Sequence, residues 1–479
     1  MPISLLFDCG ATNLRTVAVD HQGKLLAVHH IANNTQPGEE SPDYHIWDIE
    51  EIWSKLTACA TQTLAQLTDA QRQDIVGISV TTFGVDGALF DEQGQQLYPI
   101  ISWKCPRTLP IMQNLSQYLD VEGLYQRNGV GQYSFNTLFK LLWLKENQPA
   151  LMAKAKHFLF ISSILTYRLT GVFSTDRTMA GTSMMTNINT DSWDSEVLSV
   201  LGLTPEFFPE MKSAGEVIGT LKAELAEQFG LPANIPVVSA GHDTQFAIFG
   251  SGADYNQPVL SSGTWEILMA RTQQAKPEWQ YVKEGLTIEF DSQANCYNPG
   301  VQWVSSGVME WVGKRFFSDV VNTADYYPTM IESGKTVPPL ANGVKFVGQF
   351  DGTTDQRGAI EGLSMHTERG EIYRAGLEYM AYRLKAGLEV LQTVGGFKAE
   401  SFICVGGGSK NGLWNQIRAV VLGLPVDVVD MSETTVLGAA MFTLTGAGVF
   451  DTIEQAQQAM KPAIKRVVPS ENSQIYQNS

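Results

Sequence analysis

The sequence predicts an α/β protein of two domains. Three observations carry this reading. The chain has 479 residues, more than one ordinary core accommodates, so two domains are expected. Strand-like and helix-like patterns mix throughout its length, which by itself admits α/β or α+β. One device, an apolar strand, a short turn of small polar residues and a second strand, occurs at 5–20 (LLFDCGATNLRTVAVD) and again at 258–270 (PVLSSGTWEILMA). On this pattern alone, a diverged duplication and two unrelated hairpins both stay open.

Taken in order, residues 3–7 and 15–20 form two strands around a polar turn. Gly23 turns the chain into a third strand, which predicts an antiparallel meander. Trp53, Leu56, Ala60, Leu64 and Leu67 recur at helical spacing over 50–67. Residues 75–94 read as strand, Gly84, strand and a turn at Gly94. Residues 134–149 read as a helix that stops before Pro149. Pro205, Pro209, Pro232 and Pro236 surround a helical stretch, and 236–253 then reads strand, polar turn, helix. The domain boundary falls here, giving an N-terminal domain of 1–240 and a C-terminal domain of 241–479. Residues 400–429 are strand, glycine loop, helix and strand, and 432–449 form a helix of small residues. The polar tail after Lys461 is expected to fray.

Composition narrows the function. Hydrophobic residues make up 44% and charged residues 17%, as in globular chains. A net charge of -17 argues against non-specific binding to nucleic acid or to an anionic membrane. Local backbone N–H groups can still bind an anion. The five cysteines form no C-x-x-C pair and read as reduced thiols rather than a disulfide framework or zinc site. No leader is read at the N-terminus, and no apolar run approaches the ~20 residues of a spanning helix. A soluble cytoplasmic protein is expected.

Common nucleotide and hydrolase motifs are missing. Gly334-Lys335-Thr336 lacks the leading glycine of a P-loop, because position 329 is Thr. Gly406-Gly407-Gly408 does not extend to G-x-G-x-x-G, because position 411 is Asn. No G-x-S-x-G or H-E-x-x-H occurs.

What remains is a set of polar turns after strands. Asp8 ends an apolar strand, where an unpaired carboxylate is costly and a hydrated divalent cation is one fitting partner. Small residues beyond it let phosphate oxygens approach backbone N–H groups, with Thr12 and Asn13 as further donors. Ser261-Ser262-Gly263-Thr264 offers a second such turn. Ordinary β-turns have the same composition. The loop at 406–411 suits close approach to a nucleotide base, or is a plain linker. Asp243, in Gly241-His242-Asp243-Thr244, is either a general base or a helix cap. Asp86, Trp103, Lys104 and Arg107 are candidate contacts to a polyhydroxylated ligand, the two cations equally being surface charges.

The order of these motifs resembles the FGGY carbohydrate kinases over essentially the whole chain. The stretch GAIEGLSMHTERGEIYRAGLE (358–378) is similar to that family's C-terminal signature, departing at Gly376, where a larger residue is usual. The resemblance implies two ribonuclease-H-like domains of the actin/sugar-kinase superfamily with an active-site cleft between them. It implies ATP, magnesium and a small ketose as acceptor. TTFGVDGALFDEQG, YPIISWKCPRT, FNTLFKLLWLKEN, AGHDTQFA and LSSGTWEILM are most similar to members acting on L-fuculose, with L-rhamnulose or another ketose the alternative. By the same resemblance Asp8 holds magnesium through water, and Gly10, Thr12, Asn13, Arg15 and Thr264 lie along the phosphates. Gly407 and Asn411 lie by the adenosine, and Asp243 is the base. Gly84, Asp86, His242, Thr244 and Asn298 line the sugar pocket. An actin- or chaperone-like ATPase would share the phosphate turns but not the polar-aromatic material at 81–107. The oligomeric state stays open, a homo-oligomer included.

Overall fold

The protein is described from a computed structural model, which covers residues 1–350, 357–429, 433–471 and 473–477. Ser432, where the small-residue helix is expected to begin, lies outside the described residues.

The first sheet holds β1 (Ile3–Cys9), β2 (Asn13–Asp20), β3 (Leu25–Ala32), β4 (Ile75–Thr82), β5 (Val217–Thr220) and β6 (Pro236–His242). Their order is β5-β6-β4-β1-β2-β3. The meander β1–β3 is antiparallel, β1 runs parallel to β4 and β4 to β6, and β5 is an antiparallel edge. Every residue of β1 is buried, which is why it reads as an unbroken apolar run with Asp8 its one charge.

The second sheet holds β7 (Val259–Ser262), β8 (Trp265–Met269), β9 (Thr287–Phe290), β10 (Tyr297–Val304), β11 (Phe402–Val405), β12 (Val426–Val429) and β13 (Ile464–Val467). Their order is β9-β10-β8-β7-β11-β12-β13. Here too an antiparallel meander, β7-β8-β10, stands beside the parallel strands β7, β11 and β12, with an antiparallel edge in β13. The two sheets share one plan, as a duplication produces. Strand β9 is an addition to it, antiparallel to β10.

Helices cover the sheets. Helix α1 (Ile49–Ala65) is capped by the Asp48 carboxylate, which accepts from the N–H groups of Glu50 and Glu51, and it buries Ile52, Leu56 and Ala60. Helix α2 (Asp243–Gly250) leaves the last strand of the first sheet, yet its Ile248 packs with Val259, Met269, Ile403 and Val405 of the second. Beyond α3 (Arg369–Gly395) and α4 (Gly412–Leu422), α5 (Thr434–Gly446) does the reverse. Its Val436, Leu437 and Met441 join Leu6, Val17 and Val19 of the first sheet, and Thr443 Oγ1 donates to Ser79 Oγ at 2.7 Å. The two exchanged helices touch backbone to backbone: a Cβ on Gly250 would lie 1.9 Å from the Thr434 carbonyl oxygen, and one on Gly438 2.1 Å from that of Phe246. The cleft between the sheets opens beside this crossing.

Three local readings are refined. The helix expected at 134–149 spans Thr137–Asn147, and Pro149 opens the next one, Pro149–Lys154, where its missing N–H costs nothing. At Gly376 a Cβ would stand 2.8 Å from Met309 Sδ, so the helices approach closely there. The described part of the tail, through position 477, is held in place. Strand β13 pairs with β12, Arg466 bonds the buried Asp427 at 2.7 and 2.8 Å, and Tyr476 is buried with its hydroxyl between Arg374 and Glu378. An edge strand whose side chains face water looks polar in sequence, which hid it. Among the described residues no helix is long and apolar enough to cross a membrane.

Candidate active site

Register brings the polar turns together. Asp8 stands opposite Thr81 across β1 and β4, and His242 opposite Thr82 across β6 and β4. All three parallel strands therefore end at one edge, with Asp8 and Asp243 beside each other's ends. In the second sheet Ser261 stands opposite Val405, which aligns the Gly263 turn with the Gly406 loop. Ligands of parallel sheets sit beyond such carboxyl ends.

The first turn is tightly held. Gly10 N–H donates to the Asn13 carbonyl at 2.9 Å, and a Cβ on Gly10 would come within 2.7 Å of that oxygen. Asn33, buried and unmarked by any motif, donates from Nδ2 to the Gly10 carbonyl at 2.9 Å and from its backbone to that of Thr12 at 2.8 Å. Asp8 accepts from Arg15 Nε at 2.7 Å and from Thr81 Oγ1 at 3.1 Å. Burial holds its carboxyl above the usual value against the pull of Arg15. Arg15 also reaches Glu433 at 2.5 Å, at the start of α5. Asp8, Gly10, Thr12, Asn13, Arg15, Asp243 and Thr435 line one cleft of about 580 Å³.

The second turn is buttressed in the same way. The carbonyls of Gly263 and Thr264 accept from Ser306 at 3.3 Å and Ser305 at 3.0 Å, at the start of the helix Ser306–Phe316. Behind it Arg418 and Glu266 form a wholly buried ion pair, and Arg418 Nη2 donates to Ser262 Oγ at 2.7 Å. The glycine loop lies directly on this turn. A Cβ on Gly406 would meet the Ser262 carbonyl oxygen at 2.7 Å and one on Gly408 the Ser262 Oγ at 2.1 Å. Gly406 also has φ 87°, which disfavours a side chain. Gly407 has no neighbour within 4 Å of its Cβ position and faces a cavity of about 550 Å³. That cavity also takes in Asp243, Thr244, Ser261, Lys410 and Thr435. Asn411 is not part of its lining. Its Oδ1 caps α4 by accepting from Trp414 N–H at 3.1 Å, and its Nδ2 donates to Tyr373 at 2.9 Å.

Asp243 sits where these spaces meet. It lines both the cleft at the first turn and the glycine-loop cavity, while its neighbour Thr244 lines the glycine-loop cavity and a third one. It is the first residue of α2. His242 holds the cap position, and no side chain caps that end. Asp243 stands one residue past the cap position, and its carboxylate accepts from the Thr244 hydroxyl at 3.3 Å and from the Thr244 backbone N–H. Gly241, with φ 113°, makes the junction possible: a Cβ there would lie 2.4 Å from Thr178 Oγ1. That hydroxyl donates to the Ala240 carbonyl at 2.9 Å and accepts from His242 N–H at 3.1 Å, clamping the strand end. Burial pushes the Asp243 carboxyl up, His242 pulls it down and Asp8 pushes it up again, leaving it raised.

The third cavity, about 480 Å³, lies on the other side of His242 and Thr244. Gly84 lines it, and a Cβ on Gly84 would come 2.9 Å from His242 Nε2. Trp103, Tyr133, Phe135, Asn136, Glu289 and Gln302 are further lining residues. Glu289 was not singled out by sequence, because nothing local marks it. Burial opposes protonation of His242, but Glu289 and Asp243 on either side outweigh it and raise its pKa. Two expected lining residues lie behind the wall instead. Asp86 is fully buried, paired with Lys140 and accepting from Trp47 Nε1 at 2.6 Å and Trp103 N–H at 3.0 Å, so it fixes the loop that carries Trp103. Asn298 is buried and donates to Asp291 at 2.7 Å. Arg107 is stacked between Tyr44 and Trp143, away from the cavity.

The donor set fits hydrated magnesium. Among the described residues no three acidic, His or Cys side chains cluster into a metal cage. Magnesium needs none, since it keeps most of its waters and shares phosphate oxygens. Each Asp8 oxygen accepts one protein hydrogen bond and retains a lone pair for such a water.

Two successive parts of the chain match known proteins. Residues 3–250 match the N-terminal domain of the FGGY family of carbohydrate kinases, and 259–447 match its C-terminal domain. The chain is 62% identical to the L-fuculokinase of Haemophilus influenzae over 98% of its own length and 100% of that protein. It is 48% identical to the L-fuculokinase of Escherichia coli K12, over 95% of this chain and 94% of that one. The crystal structure of xylulose kinase from Rhodospirillum rubrum superposes with a TM-score of 0.87 at 21% identity, covering 100% of this chain and 96% of that chain.

Proposed function

The chain belongs to the FGGY family of carbohydrate kinases, and from that premise we propose that it transfers the γ-phosphoryl group of ATP to the C1 hydroxyl of L-fuculose. The products are L-fuculose 1-phosphate and ADP, a step of L-fucose breakdown. The observation that carries the reading is the position of Asp243, where the glycine-loop cavity meets the phosphate turns and with Thr244 opening onto the third cavity. A base is useful only where acceptor and phosphate meet.

ATP lies with its base against Gly407 and its phosphates between the turns at 10–13 and 263–264. The sugar fills the cavity beyond His242. Asp243 accepts the C1 proton as that oxygen attacks the γ-phosphorus, a new P–O bond forms, and the bond to the β-phosphate oxygen breaks to release ADP. Arg15 and the backbone N–H groups of both turns hold the phosphates in place. Asp8 would hold a hydrated magnesium through water, and the ion when bound would supply neutralisation of phosphate charge. Transfer of this kind depends on positioning and charge balance more than on covalent chemistry. The largely apolar lining of the sugar cavity helps exclude water, which would otherwise take the phosphoryl group.

Choice of L-fuculose is supported by the 62% identity to a protein named for that activity. The buried, unpaired cysteines fit a cytoplasmic setting. The test is ADP release with and without ketoses. Release that rises with L-fuculose, and more than with L-rhamnulose or D-xylulose, supports the proposal. Release indifferent to every sugar refutes it and favours an ATPase of the same fold.

A further inference from the structure

The sugar cavity contains an acid delivered from the opposite half. Glu289 stands on β9, the strand added to the plan that the two sheets share. Its side chain is 15% exposed and lines the cavity. Oε2 accepts a hydrogen bond from Gln245 Nε2 at 2.7 Å and lies 3.5 Å from His242 Nδ1. Both partners flank Asp243 in sequence, so the carboxylate is fixed across the cleft by the segment that carries the base. Among the described residues no side-chain or backbone donor bonds Oε1. Oε1 is not among the buried unpartnered atoms and so opens to the cavity that Glu289 lines, where a hydroxyl of a bound acceptor can reach it.

The rest of the lining says what kind of donor. It includes no Lys or Arg, and Phe83, Trp103, Tyr133 and Phe135 supply much of its wall. A carboxylate-bearing or phosphorylated sugar would bring a second negative charge beside Glu289, with only His242, already flanked by Glu289 and Asp243, to balance it among the described lining residues. An uncharged ketose with an apolar side brings hydroxyl donors and no such cost.

We propose that Glu289 Oε1 accepts a hydrogen bond from one acceptor hydroxyl other than the C1 hydroxyl, and that this bond selects the acceptor. The inference rests on the kinase reading above and names a specificity residue for it. Because Oε2 is held by Gln245 and faces His242, Oε1 has a set position and can discriminate between stereoisomers that place a hydroxyl differently. A site built to bond a hydroxyl rejects an analogue that lacks it far better than apolar shape does.

The experiment compares wild type, Glu289→Ala and Glu289→Gln on L-fuculose and its 3-, 4- and 5-deoxy analogues in a coupled ADP assay. Wild type is expected to lose about 10- to 100-fold in kcat/KM on one analogue, the worth of a hydrogen bond to a charged group. In Glu289→Ala that analogue and L-fuculose are expected to be used alike, the deficit appearing mainly in sugar KM. Glu289→Gln keeps the shape and gives the same narrowing should the alanine variant melt early. If both variants discriminate among the analogues as wild type does, the inference is overturned. If wild type phosphorylates no ketose at all, the kinase reading fails and this inference falls with it.

Discussion

Replacing Asp243 with Asn separates chemistry from structure at the centre of the site. Asp243 opens α2 one residue past the cap position, and Asn keeps a side-chain oxygen that can accept from Thr244 as the carboxylate does. Its side chain is 33% exposed, and its carboxyl is raised by burial, with His242 lowering and Asp8 raising it further. A carboxyl raised in the folded state contributes stability below its unfolded pKa and loses it as pH rises through the folded value. At pH 7 the ionised group therefore opposes folding slightly, and Asn relieves this. The variant is expected to melt at or slightly above the wild-type Tm and to bind ATP normally. Catalysis is a different matter: loss of a general base costs roughly 10²–10⁴ in rate, or about 3–5 kcal/mol of barrier. Wild-type kcat/KM should fall on acidification along a limb above the ordinary aspartate value of about 4, since the base must be ionised to act. Calorimetry, nucleotide titration and a coupled ADP assay on one preparation check all three statements. A folded Asp243→Asn enzyme retaining kcat within about fivefold would refute the reasoning, because loss of a base costs far more.

The remaining predictions concern the frame around that base. Asp8→Ala should fold, as judged by circular dichroism, yet lose about 10- to 100-fold in turnover at saturating ATP and magnesium, the usual effect of removing an outer-sphere metal partner. Gly408→Ala should destabilise by about 1–3 kcal/mol in urea unfolding, since its Cβ position lies 2.1 Å from Ser262 Oγ. Gly407→Ala should instead keep its stability and weaken ADP binding in calorimetric titration, because that Cβ position meets only the cavity. Arg418→Ala strands the buried Glu266 carboxylate and should cost about 3–5 kcal/mol, read as a lowered Tm.

Much of this site was legible because its pieces are local. A strand ending in Asp8, the glycine turns at 10 and 263, the loop at 406–408 and the Gly241–Thr244 junction each announce themselves within a few residues. Sheet topology then needed only to bring their ends together. Glu289, Asn33 and Thr178 were not legible, since each acts across a gap in sequence that only register and the closing of two sheets span. Asp86 and Asn298 were legible as unusual polar residues but not in their placement. Buried partners hold the Asp86 carboxylate, through Lys140 and Trp47, and the Asn298 amide nitrogen, through Asp291, while Asn298 Oδ1 has no hydrogen-bond partner among the described residues. The exchange of α2 and α5 between sheets was invisible for a related reason: an apolar helix shows that it is buried, not what it is buried against.

The most direct test of the account is the identity of the phosphorylated product. The protein is incubated with ATP, magnesium and an equimolar mixture of L-fuculose, L-rhamnulose, D-xylulose and glycerol, and the products are resolved by phosphorus–proton correlation NMR. The account predicts L-fuculose 1-phosphate as the dominant product, its phosphorus coupled to the C1 protons. A dominant phosphate ester of another acceptor, or coupling to any other carbon of L-fuculose, would contradict it.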